Sequence, residues 1–270
     1  MRLVSDDTGT TLRFAAAPQR IVSLMPSLTE AVMLLGGGGR LVGVDRHSNW
    51  PATLASLPRL GGLEDVEVEA VVRLRPDVVL ASTASRAVQR LASMGVPVLR
   101  FRSDTHEDVR RTLGQLAVLL GRPQAGLALW RRIEDDMDAA AARVPKALRG
   151  QRVLFEVGGG YVAGPSSFIG QTLQRLGMAP VVDAALGPFP RPNPEALLRA
   201  QPQLVLGAQA EMATLPSRPG WSALPAVARG RVCAFDPVRY DVLVRPGPRM
   251  GEAAAHIVEC LEVISIREGR

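Results

Sequence analysis

Cysteine is nearly absent from this chain of 270 residues: only Cys233 and Cys260 occur. Two are too few for the disulfide framework that holds small secreted domains together, and Cys260 falls on an apolar helical stripe where a buried thiol is expected. Long apolar runs are missing too. No segment approaches the roughly 18 uninterrupted apolar residues of a membrane-spanning helix. The opening Met1-Arg2-Leu3-Val4-Ser5-Asp6-Asp7 lacks the basic start and apolar stretch of a secretory signal peptide, so none is visible. Periplasmic or membrane-associated residence therefore presumes a leader outside this sequence, and cytoplasmic residence is the alternative. The net charge of +6, from 32 basic and 26 acidic residues, comes without any basic run interleaved with aromatics. Its excess is scattered arginine, such as Arg110-Arg111 and Arg131-Arg132, which argues against a nucleic-acid partner. Catalytic signatures are lacking as well: there is no G-x-S-x-G elbow, P-loop or H-E-x-x-H. Gly158-Gly159-Gly160-Tyr161-Val162-Ala163-Gly164 follows a strand but breaks the dinucleotide-loop spacing. We therefore expect no catalytic residue.

What the chain does have is apolar content of 47%, enough for a substantial core at a length where one core begins to divide into two. Short apolar runs alternate with helical periodicity. Leu3-Val4 and Leu12 to Phe14 flank Asp7-Thr8-Gly9-Thr10, a hairpin turn. Buried strands are expected at Arg20 to Leu24, Leu41 to Val44, Asp77 to Ala81 and Val96 to Phe101, with helices between them. Ser27 and Glu30 have capping-box spacing for the first helix, which Gly36 to Gly39 stop. From Thr105 to about Val144 the period is helical, broken once at Gly121-Arg122-Pro123. Alternation then resumes at Arg152 to Val157, Leu204 to Leu206 and Val232 to Phe235, ending in a helix from Gly251 to Ile264. This predicts an α/β protein: two Rossmann-like lobes with central parallel sheets, residues 1–121 and 148–270, joined by one long backbone α-helix within 122–147.

An internal repeat supports the two-lobe reading. Glu69-Ala70-Val71-Val72-Arg73-Leu74-Arg75-Pro76-Asp77-Val78-Val79-Leu80 parallels Glu195-Ala196-Leu197-Leu198-Arg199-Ala200-Gln201-Pro202-Gln203-Leu204-Val205-Leu206. Each is a helix opened by a carboxylate, which the positive end of the helix dipole favours, then halted before proline and followed by a buried strand.

With the Asp-Asp-Thr-Gly opening, Pro18-Gln19-Arg20-Ile21-Val22-Ser23-Leu24, Pro26-Ser27-Leu28-Thr29-Glu30, Val42-Gly43-Val44 and Arg245-Pro246-Gly247-Pro248-Arg249, this repeat resembles a known family across residues 3–264. It is that of the helical-backbone (class III) substrate-binding proteins of ABC importers, which serve cobalamin, ferric siderophores, haem and some metals. Within it the likeness is to the cobalamin-binding members. The resemblance implies that Glu69 and Glu195 dock, one per lobe, onto arginines of an ABC permease dimer with its ATPase. It implies a monomeric receptor whose ligand is a metal chelate, cobalamin first, with a ferric siderophore or haem as alternatives, and no cofactor or resident metal.

Ligands of open α/β sheets sit beyond the carboxyl ends of the strands. With aromatics at only 4%, the placement of Trp50, Tyr161, Phe189 and Tyr240 at strand ends is notable, because flat amphipathic rings suit a macrocycle. Trp50, Tyr161 and Phe189 match aromatic ligand contacts of the cobalamin-binding members, whereas Leu63 and Ser82 stand where those carry tryptophans. The expected ligand-binding set is His47, Trp50, Ser82, Tyr161, Phe189, Tyr240 and Arg245. Arg245 and Arg249 could pair with anionic groups of a ligand. His47 has no second His or Cys nearby, so no metal-ligating set is expected.

Overall fold

The computed structural model describes residues 1–269, and the chain divides into two compact units. One comprises Met1–Ser103 with Glu107–Arg131, and the other Asp104–His106 with Arg132 onward.

The first unit opens with a hairpin of β1 (Arg2–Ser5) and β2 (Thr11–Phe14), paired antiparallel. Its turn is made by Asp6, whose Oδ1 accepts from the backbone N–H of Thr8 at 2.8 Å and of Thr10 at 2.9 Å. Four strands form a parallel sheet: β3 (Ile21–Ser23), β4 (Leu41–Val44), β5 (Val78–Ser82) and β6 (Val98–Phe101), in the order β4-β3-β5-β6. The intervening helices are α1 (Pro26–Leu34), α2 (Val68–Arg73) and α3 (Val88–Ser93). All five residues of β5 are buried, as expected of a central parallel strand covered on both faces.

The expected capping box does not form. Helix α1 begins at Pro26, whose missing N–H is one of the donors a first turn leaves unused, so Ser27 lies inside the helix and is buried with Glu30. Gly36 does terminate that helix, at φ 77°, with its N–H donating to Met33 O at 3.0 Å.

Helices α4 (His106–Leu120) and α5 (Pro123–Arg143) follow, and the boundary between the units falls inside α5. In the second unit, β7 (Arg152–Gly158) pairs antiparallel with β8 (Tyr161–Val162). After α6 (Phe168–Arg175), β9 (Ala179–Pro180) runs parallel to the start of β7. Then come α7 (Pro194–Arg199), β10 (Leu204–Ala208), α8 (Gln209–Met212), α9 (Pro225–Ala228) and β11 (Val232–Phe235). Strand β10 lies between β7 and β11, parallel to both. Helices α10 (Pro237–Leu243) and α11 (Met250–Glu268) close the chain, and α11 packs along α5 through Gly251 against Asp136 and an Arg143–Glu262 ion pair at 2.9 Å.

The internal repeat has a physical basis. Arg75 and Gln201, each before a proline, both adopt φ 45°, a left-handed conformation costly for non-glycine residues. Each is held by an arginine opening the neighbouring strand region. Arg20 donates from Nη2 to Leu74 O at 2.7 Å and from Nε to Arg75 O at 3.3 Å, while Arg152 donates from Nη2 to Gln201 O at 3.0 Å. Asp77 and Gln203 in turn accept from the Arg20 and Arg152 backbone N–H groups, at 2.9 and 3.0 Å. The helix-stopping arginine and the side chain after proline therefore recur together in both units.

One expectation is overturned: Cys233 and Cys260 are not free thiols but a disulfide, Cα–Cα 5.9 Å, joining β11 to α11. The apolar stripe on α11 is real, and it is the stripe that brings Cys260 against the buried Cys233.

Candidate functional site: strand-end residues of each unit

In the first unit, β4 runs directly into Asp45, a carboxylate only 2% exposed. A buried charge must be hydrogen-bonded. Asp45 accepts from the His47 backbone N–H at 2.7 Å and from the Ser48 hydroxyl, which lies 2.9 Å from Thr29 Oγ1, itself 2.8 Å from Ser23 Oγ. Arg59 donates to the carbonyls of Ser48, Asp45 and Leu54. This network pins the loop that presents exposed His47 and half-buried Trp50. A Cβ on Gly62 would lie 3.7 Å from His47 Nε2, so the histidine stands beside the Gly61–Gly62 turn. Next to it, exposed Leu63 accepts through its carbonyl from Ser85 Oγ at 2.9 Å, and Ser82, the last residue of β5, is buried, its hydroxyl accepting from Ala84 N–H at 3.1 Å. His47, Leu63 and the Ser82–Ser85 loop thus form one surface of this unit, following β4 and β5.

In the second unit, Tyr161 on β8 is 47% exposed, with the Arg191 guanidinium over its ring at 5.9 Å. Phe189 is half-buried, its ring 5.8 Å from that of Phe168. Tyr240 sits on α10, stacked 6.5 Å from Phe155, with its hydroxyl donating to Glu156 O at 3.4 Å. Burial, together with the charges of Glu156 and Glu211, pushes its phenol up to about 12. Arg245 is only 7% exposed and is paired with Asp241 at 2.7 Å, and Arg249 is paired with Glu252, also at 2.7 Å.

Glu69 and Glu195 occupy the first turns of α2 and α7 and are both exposed. They differ in their surroundings. Glu69 is paired with Arg90 at 3.0 Å, whereas Glu195 follows the capping residue Asn193, whose Oδ1 accepts from the Glu195 N–H at 2.9 Å.

Three features of these surroundings escaped the sequence: the Asp45 network, the Glu69–Arg90 pair, and an ion pair at 2.9 Å between buried Glu156 and half-buried Arg218. Glu156 did leave a signal, as the lone carboxylate within the apolar run Val153 to Val157. No group of three His, Cys, Asp or Glu able to hold a metal occurs among the described residues.

Several known proteins are similar to this chain in sequence or fold. A cobalamin-binding protein of Halobacterium salinarum is 30% identical over 278 residues, covering 97% of this chain and 74% of the relative. A periplasmic haem-binding protein of Pseudomonas aeruginosa superposes with TM-score 0.77 at 28% identity, covering 92% of each chain. The periplasmic vitamin B12-binding protein of Vibrio cholerae superposes with TM-score 0.76 at 22% identity over 92% of this chain and 98% of its own, a likeness of fold alone. No helix among the described residues is long and apolar enough to cross a membrane. Residues 21–238 match the family model described as periplasmic binding protein, and the chain belongs to that family of non-enzymatic transport receptors, as a substrate-binding protein for an ABC importer.

Proposed function

We propose that the cargo is a cobalamin or related corrinoid, recognised through aromatic side chains such as Trp50, Tyr161 and Phe189. The observation that carries this reading is the display of Trp50, Tyr161 and Phe189 on loops or strand ends in a chain so poor in aromatics, supported by near full-length similarity to a relative named for cobalamin. Aromatic faces bind a flat macrocycle chiefly by burying apolar area, about 25 cal/mol per Å². Trp50→Ala and Phe189→Ala should each weaken cyanocobalamin binding at least about tenfold, while Arg245→Lys should act through the fold, because that side chain is buried and paired. Unchanged affinity in both aromatic variants would overturn the assignment. Haem is the second reading, favoured by the 28% identity to the Pseudomonas protein.

Delivery to a permease dimer would use Glu69 and Glu195. The Glu69–Arg90 pair does not oppose this, since both side chains are about two-thirds exposed (64% and 66%) and such pairs contribute only about 0–1 kcal/mol. An incoming arginine can replace Arg90 at little cost. Charge reversal at both glutamates should leave cargo affinity unchanged and abolish stimulation of the transporter ATPase. Loss of cargo binding instead would place them outside a docking role. The disulfide supports residence in an oxidising compartment, where such bonds persist.

A further inference from the structure

The second unit contains a cavity of about 520 Å³, of whose lining only Glu195 has a role proposed above, in permease docking. It lies between β7, β8, α7 and the segment Arg218–Trp221, and its volume falls within the range of small-molecule sites, about 300–1,000 Å³. Its walls are mainly apolar, with Leu154, Val162, Leu197, Leu198 and Trp221 contributing. Its charged lining is unbalanced. Three carboxylates, Glu156, Glu211 and Glu195, line it against a single cation, Arg218. That arginine is fully committed: Nη1 donates to both Glu156 oxygens at 3.0 and 2.9 Å, Nη2 to Glu211 Oε2 at 3.1 Å and to Glu211 O at 3.2 Å, and Nε to Thr214 Oγ1 at 3.0 Å. Two carboxylates share one guanidinium, and Glu195 adds a third negative charge on α7. This is a locally acidic hollow in a chain of net charge +6.

We infer that this cavity is a binding site for a small organic cation with an apolar body, such as an arylalkylamine. The apolar walls would take the hydrocarbon part, Trp221 being covered by the Arg218 guanidinium at 5.3 Å, and the ammonium would sit against the surplus carboxylate charge of Glu211 and Glu195. Anions are disfavoured, because the one guanidinium has no donor to spare and two carboxylates would repel them. A neutral isostere would gain only the apolar contacts.

The inference does not rest on the corrinoid reading, and its test is separate. Calorimetric titration of the whole chain would compare phenethylamine and tryptamine with 3-phenylpropanoate and a neutral phenylalkanol. Saturable binding of the amines, with the anion silent, is the expected result. Glu211→Gln should weaken amine binding by about tenfold, and Leu198→Trp, which fills the hollow, should abolish it. Far-UV circular dichroism would check that each variant is folded. Should Leu198→Trp fail to fold, the salt dependence of amine affinity and the Glu211→Gln and Glu195→Gln titrations decide the matter. No amine binding up to about 10 mM, or equal affinity for amine and anion, would overturn the proposal. So would amine affinity unmoved by Glu211→Gln and Glu195→Gln.

Discussion

Reducing the Cys233–Cys260 bond should loosen the second unit measurably. The bond closes a segment with a sequence separation of 27 and ties strand β11 to helix α11. Constraining a loop of that length removes about 12 cal/mol/K of entropy from the unfolded chain, or about 3.5 kcal/mol at room temperature. For a unit of this size each kcal/mol moves the unfolding midpoint by roughly 2–4 °C, so reduction should lower it by roughly 7–14 °C. The assay is thermal unfolding followed by circular dichroism, with and without a phosphine reductant, and with Cys233→Ala/Cys260→Ala as the permanently open form. Thiol titration of the denatured, unreduced protein should find no free thiol. Two free thiols in oxidised preparations, or a midpoint unmoved by complete reduction, would refute the reasoning and restore the expectation of a buried thiol at Cys260.

Two other consequences follow from buried charge and protonation. Arg218→Met leaves the Glu156 carboxylate, only 9% exposed, without its guanidinium, and should cost about 3–5 kcal/mol by chemical denaturation, most of it recovered in the double variant with Glu156→Gln. His106 is held below its ordinary value of 6.5, first by burial, although Phe168 O opposes the shift. Because the folded state disfavours its protonation, its contribution to stability is present above about pH 6.5 and is lost as pH falls through the depressed value. Unfolding midpoints measured from pH 8 to 5 should decline in wild type and decline less in His106→Gln.

The strand–helix alternation of the fold was legible because it depends on local patterning. Uninterrupted apolar runs such as Val78 to Ala81, preceded by Pro76 and alternating with helical segments, fit parallel strands covered on both faces, and Gly36 and Pro123 mark where helices end and begin. The Glu-led repeat was legible as a pattern, yet its cause was not. The arginines that hold Arg75 and Gln201 in left-handed conformations lie 55 and 49 residues away in sequence. The same limit hid the disulfide, the Glu156–Arg218 pair, 62 residues apart, and the Asp45–Ser48–Thr29 network. Polar pairings of this sort are set by tertiary proximity, to which hydrophobic periodicity is blind. The capping-box spacing of Ser27 and Glu30 misled because Pro26 takes the first helical position, which puts Ser27 inside the helix instead of at its cap.

Cargo identity is tested most directly by calorimetric titration of the oxidised chain with cyanocobalamin, with haem and a ferric siderophore run alongside. The account predicts one-to-one binding of cyanocobalamin at micromolar concentration or tighter, about −8 kcal/mol or more, accompanied by quenching of tryptophan fluorescence. Saturable binding of haem or the siderophore with no heat from cyanocobalamin would contradict it.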